Sequence, residues 1–305
     1  MSKEQAPHIA VDQHDDLHTV RDWVRFFVSE MRRGHVFFGH GSSNAFDEAI
    51  YLVQSALHLP IGDLNPFWDA RVTSREKVQL TNFITERVDE RKPASYITGE
   101  AWLQGHSFKV DKRVIIPRSF IAELLADQLT PWVNAPEMPF DILDMCTGSG
   151  CLAILAAYVF ENAQVDAVDL SAEALKVARE NIHLHDMDSR VKAIESDLFS
   201  NLNGKQYDFI LTNPPYVNEA SMKKLPPEYL HEPRMALAGG DSGMDLIQDI
   251  LEQAPRHLKD GGFLVVELGN EKLHFEAAFP HLNPIWLETS AGDEQVFLLN
   301  KEDLV

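Results

Sequence analysis

The sequence predicts an α/β chain: a doubly wound, mostly parallel sheet with an antiparallel edge strand, preceded by a small helical domain and a β-hairpin linker. Three observations predict it. From Phe140 onward, short apolar runs of strand length alternate with stretches of helical spacing, as successive βαβ units require. Gly148 and Gly150 stand where the first of those runs gives way to a helix. Before Pro93, the apolar residues recur only at helical spacing.

Residues 15–33 place Leu17, Val20, Val24, Phe27, Val28 and Met31 on one helical face, with Gly34 as the stop. After a turn at 39–44, Phe46, Ala49, Ile50, Val53, Ala56 and Leu57 repeat the pattern. Thr73 with Glu76 makes a capping box for a third helix carrying Val78, Leu80, Phe83, Ile84 and Val88. Residues 1–92 therefore read as a helical bundle, expected to select the substrate because it holds none of the chemical motifs found later. His35, His40 and His58 lack metal-ligand spacing, and no metal is expected. Residues 93–116 form the linker, with strands at 96–103 and 107–110 around Gln104-Gly105. The third domain, 117–305, opens on Pro117-Arg118-Ser119 and a helix with Ile121, Leu124, Leu125 and Leu129. Arg118 stands to meet a ligand carboxylate or the Asn213 loop, or else only to cap a surface turn. Strands follow at 140–145, 164–169, 191–195, 207–212 and 262–268, with helices carrying Leu152, Ile154, Leu155 and Tyr158, then Ala174, Leu175, Ala178 and Ile182. The runs 284–287 and 295–300, joined through Gly292, suit an antiparallel pair at a sheet edge.

A formal net charge of -20, from 47 acidic against 27 basic residues, argues against nonspecific attraction to nucleic acid or anionic membrane and favours a basic partner. Cys146 and Cys151 lie too close in a glycine-rich loop to be a disulfide framework, which fits a reducing cytoplasm. The N-terminus Met1-Ser2-Lys3-Glu4 has no apolar core of a signal peptide, and the longest apolar run, 151–160, is too short to span a bilayer.

The candidate chemistry centres on Asn213-Pro214-Pro215-Tyr216. A buried strand, 207–212, breaks at two prolines that cannot donate to a sheet ladder, so Asn213 and Tyr216 should stand at the carboxyl edge where α/β sheets bind ligands. The Asn213 side-chain carbonyl and the Pro214 backbone carbonyl, its direction constrained by Pro215, can accept both protons of one planar NH2 group, with Tyr216 flat against it. Such an amine is a poor nucleophile. A site that alkylates it must aim the nitrogen and stabilise the charge it acquires, and two carbonyls with an aromatic face do both. A proline-rich turn that merely closes a core strand is the plainer alternative, and the loop upstream argues against it.

That loop, Asp144-Met145-Cys146-Thr147-Gly148-Ser149-Gly150, brings backbone close to a ligand, and Asp169 ends the next strand where it can accept from ribose hydroxyls. The glycines also satisfy a loose dinucleotide fingerprint. Asp144 decides against that: a carboxylate ahead of the loop would repel a pyrophosphate but suits a methionine amino group, which points to S-adenosylmethionine. Asp197 is placed to meet the adenine amine, with Leu198 or Phe199 on its ring; a helix cap is the equal alternative for Asp197.

Together the 144–150 loop, Asp169, Asn213-Pro214-Pro215-Tyr216 and the helical N-terminus with its hairpin resemble the protein N(5)-glutamine methyltransferases over essentially the whole chain. The stretches Ala94-Ser95-Tyr96-Ile97-Thr98-Gly99-Glu100, Ile116-Pro117-Arg118-Ser119 and 225–233 are most similar to the branch that modifies ribosomal protein uL3. The resemblance implies a Rossmann-like class I methyltransferase using S-adenosyl-L-methionine, whose substrate glutamine meets Asn213, Pro214, Pro215 and Tyr216. The substrate would be a basic ribosomal protein, free or in an assembling large subunit. Cys146 departs from the glycine usual in release-factor relatives. Competing readings are methylation of a release factor, methylation of an exocyclic amine in nucleic acid, an inactive ribosome-assembly factor, and a nicotinamide oxidoreductase. The acidity disfavours the nucleic-acid reading, the intact loop and Asn213 disfavour the inactive factor, and an oxidoreductase leaves Asp144 and Asn213-Pro214-Pro215-Tyr216 unexplained.

Overall fold

The computed structural model of the protein describes residues 16–304, so the polar stretch Met1 to Glu4 lies outside the described residues. The chain forms two units: the described residues up to Glu100 with Pro226–His231, and Ala101–Leu225 with the chain from Glu232 on.

In the first unit, α1 (Val20–Arg33) starts at Thr19, whose hydroxyl and Asp22 form a capping box, and ends on Arg32 and Arg33, charges that suit the two ends of the helix dipole. Asn44 caps α2 (Ala45–Ala56), and the expected Thr73–Glu76 box caps α3 (Ser74–Val88). Trp23, Phe27, Leu52, Leu80 and Ile84 form the buried centre. Phe46 and Val78, counted on buried faces from the sequence, are instead exposed. Both have the helical spacing but lie near the start of their helices, on the side turned to solvent.

The linker differs from expectation in its first half. Residues 94–98 form a short helix, α4 (Ala94–Thr98), because Pro93 supplies its N-cap and Gly99, left-handed at φ 78°, ends it. Ala94 packs into the helical core, so the first unit runs on past residue 92 to Glu100. Pro226–His231 joins the same unit through Glu228, fully buried and paired with Arg87 (3.4 Å) and Arg91 (2.8 Å); Arg87 also donates to Glu48 at 2.6 Å.

The hairpin is β1 (Glu100–Leu103) and β2 (His106–Lys109), turning as expected at Gln104-Gly105, both with positive φ. Then come α5 (Ile121–Ala126), β3 (Asp141–Met145), α6 (Cys151–Val159), β4 (Gln164–Asp169), α7 (Ala172–Leu184), β5 (Val191–Glu195), β6 (Tyr207–Thr212) and α8 (Glu219–Met222). The chain closes with α9 (Asp245–His257), β7 (Leu258–Glu267), α10 (Lys272–Ala278), β8 (Ile285–Thr289) and β9 (Gly292–Asn300). The seven-stranded sheet has the order β5-β4-β3-β6-β7-β9-β8. β3 to β7 are parallel, and β9 runs antiparallel to both β7 and β8, the edge arrangement read from Gly292.

Alternate residues along each strand sort to opposite faces. Ile142, Val165, Phe209, Leu211, Phe263 and Val265 pack with α5 and α6 in one core; Leu143, Met145, Ile210, Leu264 and Val266 pack with α9 and α10 in the other. The expected double winding is thus present. Helix α9 was not anticipated, although Ile247, Ile250, Leu251 and Ala254 have the helical spacing. No helix among the described residues is long and apolar enough to cross a membrane.

Candidate active site

Strand order brings the motifs together. From β3 the chain winds outward through β4 and β5, then returns to the other side of β3 as β6, so the crevice at the carboxyl ends of β3 and β6 is a switch point of the sheet. Met145 pairs with Thr212 across that crevice, and the Thr212 hydroxyl donates to the Met145 carbonyl at 2.9 Å. The residues that follow each, Cys146 and Asn213, are therefore neighbours. On its other flank Thr212 pairs with Val266 of β7, which sets Asn213 beside Glu267.

Two hollows open here. One is lined by Met145, Cys146, Gly148, Asp169, Asp197, Leu198, Asn213 and Pro215, the other by Arg118, Ser119, Cys146, Thr147, Ser149, Asn213, Tyr216 and Glu267. Asn213 and Cys146 belong to both.

The first hollow carries the expected cofactor residues. Asp169 accepts the Gly148 N–H at 2.9 Å on one oxygen and the Ser171 N–H at 2.8 Å on the other, and burial raises its pKa. Gly148 is left-handed at φ 56°, and a Cβ there would touch only the Ile115 side chain at 3.6 Å, so its backbone faces open space. Gly150 serves differently: at φ 82° it starts α6, and a Cβ would crowd Ala178 of α7 at 3.3 Å. Cys146 holds φ 62°, the region that favours glycine, so the glycine usual in release-factor relatives suits this position without strain. Burial pushes the Cys146 thiol pKa up, so it stays a neutral wall. Asp197 is exposed at the rim, and Leu198 supplies apolar surface. Phe199 turns away and stacks on His257 at 4.6 Å, which removes it from the adenine role considered for it.

Asp144 lies beneath the loop rather than on the lining. It shares the face of Ile142 toward α6, and one oxygen accepts the Thr147 hydroxyl (2.5 Å) and the Ala153 N–H (3.0 Å), a brace from strand to loop to helix. The second oxygen is buried without a hydrogen-bond partner, and burial raises the pKa to about 7. Two acids on the lining of a largely apolar hollow, Asp169 and Asp197, and a lining arginine, Arg113, already bound to Asp111 (2.6 Å) fit a cationic nucleoside better than a pyrophosphate.

In the second hollow, Asn213 donates its side-chain N–H to Glu267 at 3.0 Å. Glu267 is 3% exposed and also accepts the Ser119 hydroxyl (2.5 Å) and the Phe120 N–H (2.8 Å). Burial raises its pKa to about 7. Tyr216 lies against Gly269, where a Cβ would come within 2.7 Å of the ring. Pro214 is buried and lines neither hollow, while Pro215 faces the first. Arg118 lines the second hollow but is held by Glu232 through two bonds, 2.6 and 2.9 Å, so its charge is neutralised and the ligand-carboxylate contact weighed for it is not supported.

Sequence reasoning missed Glu267, Ser119, Gly269 and Asn181. Glu267 had a signal: one acid ends the apolar run 263–268 at the sheet edge where ligands bind. Buried Asn181 ties the Ser149 carbonyl (2.8 Å) to Lys109 of β2, and nothing in the spacing of α7 marks it.

The methyltransferase small domain family model matches residues 122–288. A ribosomal protein uL3 glutamine methyltransferase of Bordetella pertussis is 53% identical over 293 residues, covering 96% of this chain and 98% of that one. The protein of the same name from Neisseria meningitidis serogroup A is 47% identical over 299 residues, covering 98% of each chain. One from Francisella tularensis is 41% identical over 291 residues, covering 95% of this chain and 93% of its own.

Proposed function

Because the chain belongs to the ribosomal protein uL3 glutamine methyltransferase family, we propose that it transfers the methyl group of S-adenosyl-L-methionine to the side-chain amide nitrogen of a glutamine in ribosomal protein uL3. The single observation that carries the mechanism is Asn213, which borders both hollows: a cofactor cleft on one side, and a pocket with Tyr216 on the other.

S-adenosyl-L-methionine, when bound, supplies a methyl group on a positively charged sulfur. Asp169 and Asp197 would hold the nucleoside by its hydroxyls and amine, with apolar surface from Leu198 and backbone from the loop 146–150. The Asn213 side-chain carbonyl accepts one amide proton of the glutamine and the Pro214 backbone carbonyl the other, the Pro214 ring itself lying buried off both hollows, which aims the amide nitrogen lone pair into the first hollow. Tyr216 packs on the amide plane. The nitrogen would bond to the methyl carbon as the carbon–sulfur bond breaks and its electron pair returns to sulfur; the two carbonyls and the Tyr216 ring stabilise the positive charge that the nitrogen acquires, and one of its protons then passes to water, so no strong base is required. The helical first unit, which holds none of these groups, selects the protein substrate. A chain of formal charge -20 suits a basic ribosomal protein.

The test is methylation with labelled cofactor of purified uL3 beside a purified release factor, with the modified residue located by fragmentation. Label on one glutamine of uL3 is expected. Label confined to the release factor, or to nucleic acid in a ribosome preparation, would overturn the assignment.

A further inference from the structure

We propose that Glu267 is a positioning residue for methyl transfer: its carboxylate selects which end of the Asn213 amide faces the acceptor. This rests on the reading of Asn213 as the residue that binds the substrate amide. A side-chain amide is ambiguous by itself, since rotation by half a turn exchanges a carbonyl oxygen for an NH2 group in almost the same place. Only one orientation serves. With the carbonyl toward the pocket, Asn213 accepts a proton of the substrate amide; with the NH2 there, two donors meet and the substrate is repelled.

An ionised carboxylate accepts and never donates. Glu267 Oε1 takes the Asn213 Nδ2 hydrogen at 3.0 Å, which leaves Asn213 Oδ1 for the pocket. Glu267 cannot turn to serve another group, because Oε2 is fixed by the Ser119 hydroxyl at 2.5 Å and the Phe120 N–H at 2.8 Å. The carboxyl group is nearly sealed from water at 3% exposure, so no solvent molecule substitutes easily for either partner. Register maintains the pair: Thr212 and Val266 are opposed on β6 and β7, and the next residue of each strand forms the bond.

A proton on Glu267 would remove this selection, since a protonated carboxyl can donate to the Asn213 carbonyl and hold the amide in the wrong orientation. The titratable groups that share this hollow with Glu267 are Arg118, itself paired with Glu232, the Tyr216 hydroxyl, and the buried thiols Cys146 and Cys151, kept neutral. Val296, opposite Glu267 on β9, carries no charge. Burial sets the Glu267 titration near 7 and the Ser119 hydrogen bond lowers it, so turnover should rise with pH through that region.

Glu267→Gln is the decisive variant. Its single carbonyl satisfies either the Ser119–Phe120 donors or Asn213, and two donors outcompete one, which leaves an NH2 group against Asn213 and turns its amide around. Single-turnover methylation of uL3 is expected to fall at least ~100-fold with cofactor affinity within threefold, and the rise of rate with pH should disappear. Added to Asn213→Ala, the change should cause no further loss, because both act through one group. Ser119→Ala guards against a folding defect: it removes the bond that lowers the Glu267 pKa, so its rate limb should move to higher pH. Glu267→Gln with near-normal turnover, or Ser119→Ala with an unmoved limb, would overturn the proposal while leaving Asn213→Ala inactive. If Asn213→Ala is itself active, the underlying reading fails instead.

Discussion

Asp169→Ala is the most direct probe of the cofactor cleft. Each oxygen of this carboxylate holds one backbone N–H, that of Gly148 at 2.9 Å and that of Ser171 at 2.8 Å, so the side chain both orders the loop and lines the hollow. A hydrogen bond to a charged group contributes about 1.5–3 kcal/mol. Gly148, Asp169 and Ser171 are all partly exposed, so water replaces much of what the two backbone donors lose, and the unfolded baseline should move little. The ligand hydroxyls gain no such substitute inside the filled cleft. Affinity for S-adenosylmethionine should therefore drop by about 1.5–3 kcal/mol, roughly 10- to 150-fold in Kd. Asp169→Asn, which keeps an acceptor but no charge, should fall between the two. Calorimetric titration measures this, with thermal unfolding as the control. An alanine variant within twofold of the parent, or NADH bound as tightly as S-adenosylmethionine, would refute the reasoning.

Asn213→Ala should lower single-turnover methylation at least ~100-fold while cofactor affinity stays within about 1 kcal/mol, because the residue serves the acceptor amide; parallel loss of both would remove that assignment. Glu228→Ala strips a partner from buried Arg87 and from partly exposed Arg91 and should destabilise the first unit by about 3–5 kcal/mol in urea unfolding, chiefly through the uncompensated Arg87; a change under 1 kcal/mol would show that the cluster is not coupled to folding. Stability should also fall between pH 4.5 and 7. Glu267 titrates near 7 in the folded protein against an ordinary 4.5, so the native state keeps a proton that the unfolded chain has already lost; its contribution is complete below about 4.5 and gone by about 7, a loss of about 3 kcal/mol. Asp144, raised to about 7 from 3.8, adds in the same direction. Urea titrations at pH 5 and 7.5 measure the slope, which Glu267→Gln should flatten; an equal slope in the variant would rule out Glu267 as its origin.

The sheet and the site were legible in the sequence to different depths. Strands 164–169, 191–195 and 207–212 match the structure residue for residue, because buried parallel strands bounded by turns leave a strong signal. Residues 96–98 were misjudged because their aromatic and β-branched content suggests a strand, while Pro93 and Gly99 impose a helical turn and its stop. At the candidate site, the places of Asn213 and Asp169 at the carboxyl ends of their strands were readable since each ends a strand-like run, and that of Tyr216 because the two prolines before it stop the strand. Asp144 was placed on the wrong side of its loop: the sequence shows that a carboxylate precedes the glycines, but strand alternation directs it at α6. Arg118 was legible as a fixed arginine and not as one already paired, because Glu232 lies over a hundred positions away along the chain.

Gly239, Gly243 and Gly269 crowd the Pro215–Tyr216 backbone and the Tyr216 ring from outside the motif, with a Cβ at Gly239 coming within 2.7 Å of the Pro215 carbonyl. The turn that carries Tyr216 is therefore backed by main chain that offers no side chain to vary. Anyone seeking to retarget the enzyme to a bulkier amide, or to an asparagine one methylene shorter, would find these positions closed to gradual change: the smallest step available, glycine to alanine, already pushes on the turn proposed to hold the substrate. Volume could instead be varied where side chains line the second hollow, at Ile115 and Leu152, a methyl group at a time.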